Sequence, residues 1–410
     1  MDKTIYPKVL FLSHMYPSSI DKIQGIFIHQ YVKCIKESGV NLEIISPVPW
    51  APKILWLKEK WKSYGSFPRE EVFNAVKLAR PRYIELPFRS FRSYSGPSMF
   101  ICLYNFFKNL YKTYKFNVIH AHTITPDGHA ALYLKKFFNV PLICSIRGSD
   151  LNEYPYSSKK IFKASIKVLK GSDAIIAVSK DLANKATEIA NIKNPPYVIY
   201  NGVNYNIFRN FNNKLKIRKK LGIEPKSKII CFIGRCEREK GVFDLIKAFE
   251  IINREINNAY LLLIGDGKDK SIVINIIEKK ALSKKVIIKS NIIHDAIPDY
   301  LNASDVFVLP SYSEGMPNVI LEALACELPV VATNVGGIPE VISYNNAELL
   351  CSPGDYTSLA KIIIKIILNY DYYLIKANRA RQNMVRRFSW EKGAKKTLFV
   401  YKKVLDSYET

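Results

Sequence analysis

The sequence predicts an α/β protein built as two doubly wound halves, each around a parallel sheet. Short apolar runs alternate with segments of helical period along most of the 410 residues. The runs are apolar throughout, as in Asp305-Val306-Phe307-Val308-Leu309-Pro310, which suits strands covered on both faces. The alternation stops in a polar, basic stretch between 203 and 228 and then starts again, so a domain boundary is expected there.

The first half opens on the apolar run Lys8-Val9-Leu10-Phe11-Leu12-Ser13-His14, followed by a loop with Pro17 and Gly25. Ile28, Tyr31, Val32 and Ile35 recur at helical spacing, so 26–37 reads as a helix that Gly39 stops before the strand Leu42-Glu43-Ile44-Ile45. Gly25 alone is also consistent with an ordinary turn. Residues 46–98 depart from the alternation. If 53–64 is helical, Ile54, Leu57, Trp61 and Tyr64 share one face, ringed by Lys53, Lys58, Lys60 and Lys62. That pattern suits either a membrane surface, contacted through residues 50–64, or a face packed on its own domain.

Alternation resumes with a helix near 98–114 and the strand Asn117-Val118-Ile119-His120, with a loop expected from Ala121 to Gly128. A helix follows at 129–138, then strands at 141–146, 174–178 and 197–200. Ligands of such sheets lie beyond the carboxyl ends of the strands. His122, Arg147-Gly148-Ser149-Asp150, Ser179 and Asn201-Gly202 are therefore expected around one crevice. His122 reads as a general base, a hydrogen-bond donor or a structural residue.

The second half has expected strands at 229–233, 260–264, 285–288, 305–309 and 329–332. Arg235 and Lys240 lie in the loop before a helix from 242 and can neutralise a diphosphate. The stretch Ser311-Tyr312-Ser313-Glu314-Gly315-Met316-Pro317-Asn318-Val319-Ile320-Leu321-Glu322 reads as a turn feeding a helix. Gly315 permits the turn and Pro317 suits the first helical position. The start of that helix, at Asn318 and Val319, is a place for phosphate, flanked by Glu314 and Glu322. A helix is expected near 356–369, and the last 30 residues from Arg381 look helical. Two Rossmann-like halves, each supplying strand-end loops to a cleft, are the expected architecture.

Composition narrows the partners. Lys plus Arg outnumber Asp plus Glu by 61 to 36, which favours anionic partners or reflects a Lys-, Ile- and Asn-rich composition. The seven cysteines form no C-x-x-C pair and the six histidines no H-E-x-x-H spacing, so neither a disulfide framework nor a metal site is expected. No run of about 18 uncharged apolar residues stands out as a transmembrane helix. The opening Met1-Asp2-Lys3-Thr4 leads straight into a strand, so a cytoplasmic location is expected, with peripheral membrane contact left open.

Several stretches in order resemble the family 4 glycosyltransferases: Val118-Ile119-His120-Ala121-His122, Ala174-Ile175-Ile176-Ala177-Val178-Ser179, Ile199-Tyr200-Asn201-Gly202-Val203, Ile233-Gly234-Arg235 through Glu239-Lys240-Gly241, the Glu314–Glu322 stretch, and Ala332-Thr333-Asn334-Val335-Gly336-Gly337-Ile338-Pro339-Glu340. The resemblance covers nearly the whole chain. It implies the GT-B fold: 1–203 as the acceptor domain, 204–384 as the donor domain, and 385–410 as a helix returning to the first domain. It implies retaining transfer from a nucleotide-sugar donor; the reaction expected here is transfer from a nucleotide-diphosphate sugar to a saccharide or lipid-linked saccharide, and with no Asp-x-Asp pair in the sequence no metal or other cofactor is expected. By the same resemblance Glu314 contacts the donor sugar, Glu322 the ribose, and Arg235 and Lys240 the diphosphate. Gly25 lets acceptor and donor approach, and His122 lies near the reaction centre. Many relatives have His-Gly-Ser-Asp where this chain has Arg147-Gly148-Ser149-Asp150. An Arg is no neutral base, so Arg147, with Asp150, is expected to bind an anion or the acceptor. The Pro47–Lys53 stretch, with Trp61–Gly65 and Pro81-Arg82-Tyr83, is similar to a branch serving cell-surface polysaccharide assembly of the teichuronic acid type. Two other functions stay open: a nucleotide-sugar epimerase on the same plan, and a basic nucleic-acid-binding protein. The second lacks a basic-aromatic single-strand platform.

Overall fold

The computed structural model describes residues 6–55, 59–85, 89–342 and 347–409. Its contacts divide the chain into two units, one running to Asn201 and including the stretch from Trp390, the other Gly202–Ser389.

The first unit holds an eight-stranded sheet. From edge to edge its strands are Tyr197–Val198, Ala174–Ala177, Leu142–Ile146, Val118–His122, Lys8–Leu12, Asn41–Ile45, Val76–Ala79 and Glu70–Phe73. All neighbours are parallel except the last pair, a hairpin whose turn places Asn74 and Ala75 at φ of 42° and 66°. That left-handed pair is the twist a two-residue hairpin needs, and it accounts for the lost alternation in this region. The chain leaves Lys8–Leu12 toward Asn41–Ile45 and later returns to its other side as Val118–His122. The strand order therefore reverses between these two central strands. Val118–His122 and Leu142–Ile146 are buried at every position, as strands covered on both faces must be.

The expected loop at Ala121-His122 is instead strand, because the parallel ladder continues to the His122↔Ser145 pair. The stretch from Arg381, expected to be helical, holds the end of one helix, Tyr370–Arg387, and the whole of another, Trp390–Glu409. Trp390, Ala394, Tyr401, Val404 and Leu405 of the second fall at helical spacing and join the core of the first unit beside Phe11, Ile28 and Tyr31. The 53–64 tract is not one helix either: a 3₁₀ turn spans Lys53–Leu55 and an α-helix Glu59–Ser66. Trp61, on the apolar face that suited either a membrane or the protein's own core, is only 7% exposed and meets Tyr64 edge-on, so that position serves the core. Trp56, Leu57 and Lys58 of the same tract lie outside the described residues.

The second unit holds a six-stranded, wholly parallel sheet in the order Val286–Lys289, Ala259–Ile264, Lys228–Ile233, Val306–Leu309, Val330–Thr333, Leu350–Cys351. Its central strands start in register through Asp305. This carboxylate accepts from Arg218 Nη2 at 2.6 Å, Ile229 N at 2.7 Å and Lys214 Nζ at 3.0 Å. A buried acid with that many donors is well satisfied.

Candidate active site

In the second unit the expected site residues gather at the carboxyl ends of the central strands. Lys240 ends the 3₁₀ turn Arg238–Lys240, and Gly241 follows with φ +71°. A Cβ on Gly241 would lie 1.8 Å from the Pro310 carbonyl oxygen, so only glycine lets this loop press against the end of the neighbouring strand. That approach brings Lys240 Nζ within 2.6 Å of Glu314 Oε1, which also accepts from Ser311 Oγ at 2.7 Å. Tyr312 N donates to the Glu239 carbonyl at 2.9 Å and Tyr312 Oη to Asp244 Oδ2 at 2.6 Å, pinning the two loops together.

The helix after the turn is Asn318–Ala325, with Pro317 as its N-cap, one position earlier than spacing implied. Asn318 and Val319 form its first turn, where the dipole favours an anion. Gly315 accepts from Gly337 N at 2.9 Å. The left-handed conformation falls not on Gly315 but on Gly336, at φ +54°, where a Cβ would lie 2.0 Å from the Glu314 carbonyl oxygen. Glu322 faces inward and accepts from His294 Nε2 at 2.8 Å. Burial works against protonation of His294, but the hydrogen bond and charge of Glu322 outweigh it and the net shift is upward. Arg235 leaves the end of Lys228–Ile233, 58% exposed, with Nη1 2.8 Å from Glu237 Oε2. His294 escaped the sequence reading; its one signal is a place in the loop after the strand Val286–Lys289.

In the first unit His122 ends its strand fully buried. Arg147 Nη2 lies 2.6 Å from His122 Nδ1 and Nη1 donates to Asn201 Oδ1 at 3.1 Å, while the guanidinium stacks over Tyr31 and Phe27. A guanidinium can only donate. It therefore takes the Nδ1 lone pair and places the His122 proton on Nε2, which has no hydrogen-bond partner among the described residues. Burial, with His120 and Arg147 adding to it, holds His122 well below the ordinary histidine range. This neutral imidazole offers an N–H rather than a base. Asp150 accepts from the main-chain N–H of Arg147, Gly148 and Ile124 at 2.9, 2.8 and 3.1 Å, which commits it to shaping its own loop. Gly25, at φ +76°, precedes the helix Ile26–Glu37; a Cβ there would lie 2.7 Å from the Met15 carbonyl oxygen. The two ends of the loop between the first strand and the first helix thus pack together because residue 25 is glycine.

Two doubly wound sheets, one wholly parallel and the other parallel except for its edge hairpin, define the class, a GT-B fold. Residues 27–206 match the family described as Glycosyltransferase Family 4, and residues 213–384 match Glycosyl transferases group 1. A Bacillus subtilis glycosyltransferase, TuaC, whose name places it provisionally in teichuronic acid biosynthesis, is 30% identical over 365 residues, 87% of this chain and 88% of that protein. Among solved structures, sucrose-phosphate synthase from Thermosynechococcus elongatus superposes with a TM-score of 0.81 at 20% identity, over 98% of this chain and 100% of that one. Anabaena HepE, in complex with UDP and glucose, gives 0.74 at 18% identity over 97% and 100%. The chain belongs to the family 4 glycosyltransferases and is an enzyme of the glycosyltransferase class. Neither the epimerase nor the nucleic-acid reading is favoured by these likenesses.

Proposed function

We propose that the enzyme transfers a sugar, with retention, from a nucleotide-diphosphate sugar to a saccharide or lipid-linked saccharide in cell-surface polysaccharide assembly. The carrying observation is the Lys240–Glu314 pair beside the start of the helix Asn318–Ala325. Arg235, Lys240 and the helix start would stabilise charge growing on the leaving diphosphate, so the reading includes no metal. Glu314 would address the donor sugar and Glu322 the ribose. The first unit would serve the acceptor, with Arg147 and the His122 N–H as its polar groups. The pathway assignment is supported by the teichuronic acid relative, and a nucleotide-sugar donor by the UDP held in Anabaena HepE.

A thermal-shift panel of UDP-, GDP- and ADP-sugars, run with and without chelator, tests this reading. One base should raise the transition, with or without chelator. No shift with any of the three would contradict it.

We also infer a cytoplasmic enzyme that touches the membrane through the first unit. Among the described residues no helix is long and apolar enough to cross a membrane. Trp50 and Ile84, next in register after the paired Val48–Pro49 and Arg82–Tyr83, are both exposed, and Ile54 is 81% exposed near Lys53. Apolar groups beside a cation suit an anionic interface. Replacing Trp50 and Ile54 by Ala is expected to reduce co-sedimentation with anionic liposomes severalfold; unchanged binding would count against the membrane contact.

A further inference from the structure

We propose that His14, held by the buried Asp127, takes the proton from the attacking acceptor hydroxyl during glycosyl transfer. This rests on the function proposed above. His14 lies two residues beyond the first strand, Lys8–Leu12, and Asp127 lies in the loop after Val118–His122. These are the two strands between which the sheet order reverses, and ligands of doubly wound sheets sit beyond the strand ends at that place.

The pair is tightly built. Asp127 Oδ1 accepts from His14 N at 3.0 Å; Oδ2 lies 2.9 Å from His14 Nδ1 and accepts from Thr123 Oγ1 at 3.0 Å. Asp127 is fully buried, whereas the His14 side chain is 26% exposed. With Nδ1–H donating to the carboxylate, the lone pair sits on Nε2. This is the reverse of His122, whose acceptor nitrogen is filled by Arg147 and whose remaining nitrogen carries the proton. Of the two imidazoles at neighbouring strand ends, His14 is the one able to receive a proton. Gly25 supports its loop through the close approach to Met15. Burial pulls the proton affinity of His14 down, and Asp127, with smaller contributions from Glu85 and Asp150 on the elements around it, leaves it raised overall.

The step balances. The anomeric C–O bond to the diphosphate breaks with its electron pair going to the diphosphate, the acceptor oxygen bonds the anomeric carbon, and its proton passes to His14 Nε2.

The test measures nucleotide release from UDP-glucose, UDP-N-acetylglucosamine and GDP-mannose, with water as acceptor, for wild type, His14→Gln and Asp127→Asn across pH. His14→Gln keeps a polar side chain but no base, and kcat is expected to fall about 100-fold or more while the UDP or GDP thermal shift stays as in wild type. Asp127→Asn removes the main group that raises the His14 pKa, so the rising limb of its pH–rate profile is expected at lower pH than in wild type. A His14→Gln enzyme within about threefold of wild type across the pH range would overturn the proposal, as would loss of turnover accompanied by loss of the nucleotide-induced shift. A wild type that binds and turns over none of the donors would overturn the function on which the proposal rests, and the proposal with it.

Discussion

Replacing Lys240 by alanine is expected to lower donor turnover about a hundredfold or more, the usual scale for losing a charge that stabilises a leaving group. Lys240 is brought to the strand end by the Gly241–Pro310 approach and stands 2.6 Å from Glu314. The variant leaves Glu314 its bond from Ser311, so the fold is expected to survive with a modest loss of stability. Turnover and melting temperature, measured on the same preparation, separate the two effects. Near wild-type turnover would remove Lys240 from the reaction. Arg235 is more exposed and pairs locally with Glu237, so its replacement should cost less.

Gly336→Ala is expected to damage the same site from the fold side. The new methyl would have to occupy space 2.0 Å from the Glu314 carbonyl oxygen at a left-handed φ of 54°. Strain of the backbone and overpacking together amount to about 2–4 kcal/mol. For a unit of this size that is a drop of roughly 5–15 °C in its unfolding transition. Because the clash falls on the main chain of Glu314, turnover should fall even where the variant remains folded. Calorimetry with a parallel activity assay checks both; a variant that melts and turns over like wild type would show that the loop yields without cost.

The two βα series were legible because their strands are apolar on both faces, and Val306–Leu309 and Val330–Thr333 fall within a residue of expectation. Glu314 and Glu322 were legible too, since a strand, a glycine turn and a helix start lie in one short stretch. The pairings were not. Asp127 stands 113 residues from His14 and His294 stands 28 from Glu322, and only the folded sheets bring these partners together. Arg147 was legible as a departure from a family pattern, but its hold on the His122 lone pair became visible only in three dimensions. The 53–64 tract left two readings open for a physical reason: an amphipathic period cannot tell solvent-facing aromatics from core ones, and the structure puts Trp61 in the core.

Titration calorimetry with the nucleoside diphosphate chosen by the thermal-shift panel, on wild type and Lys240→Ala side by side, tests the proposed donor site most directly. The expected result is saturable binding to wild type and affinity at least about tenfold weaker in the variant, as for a lost charge-assisted contact worth roughly 1.4 kcal/mol or more. Equal affinity in both would contradict a diphosphate site at Lys240 and the Glu314 turn.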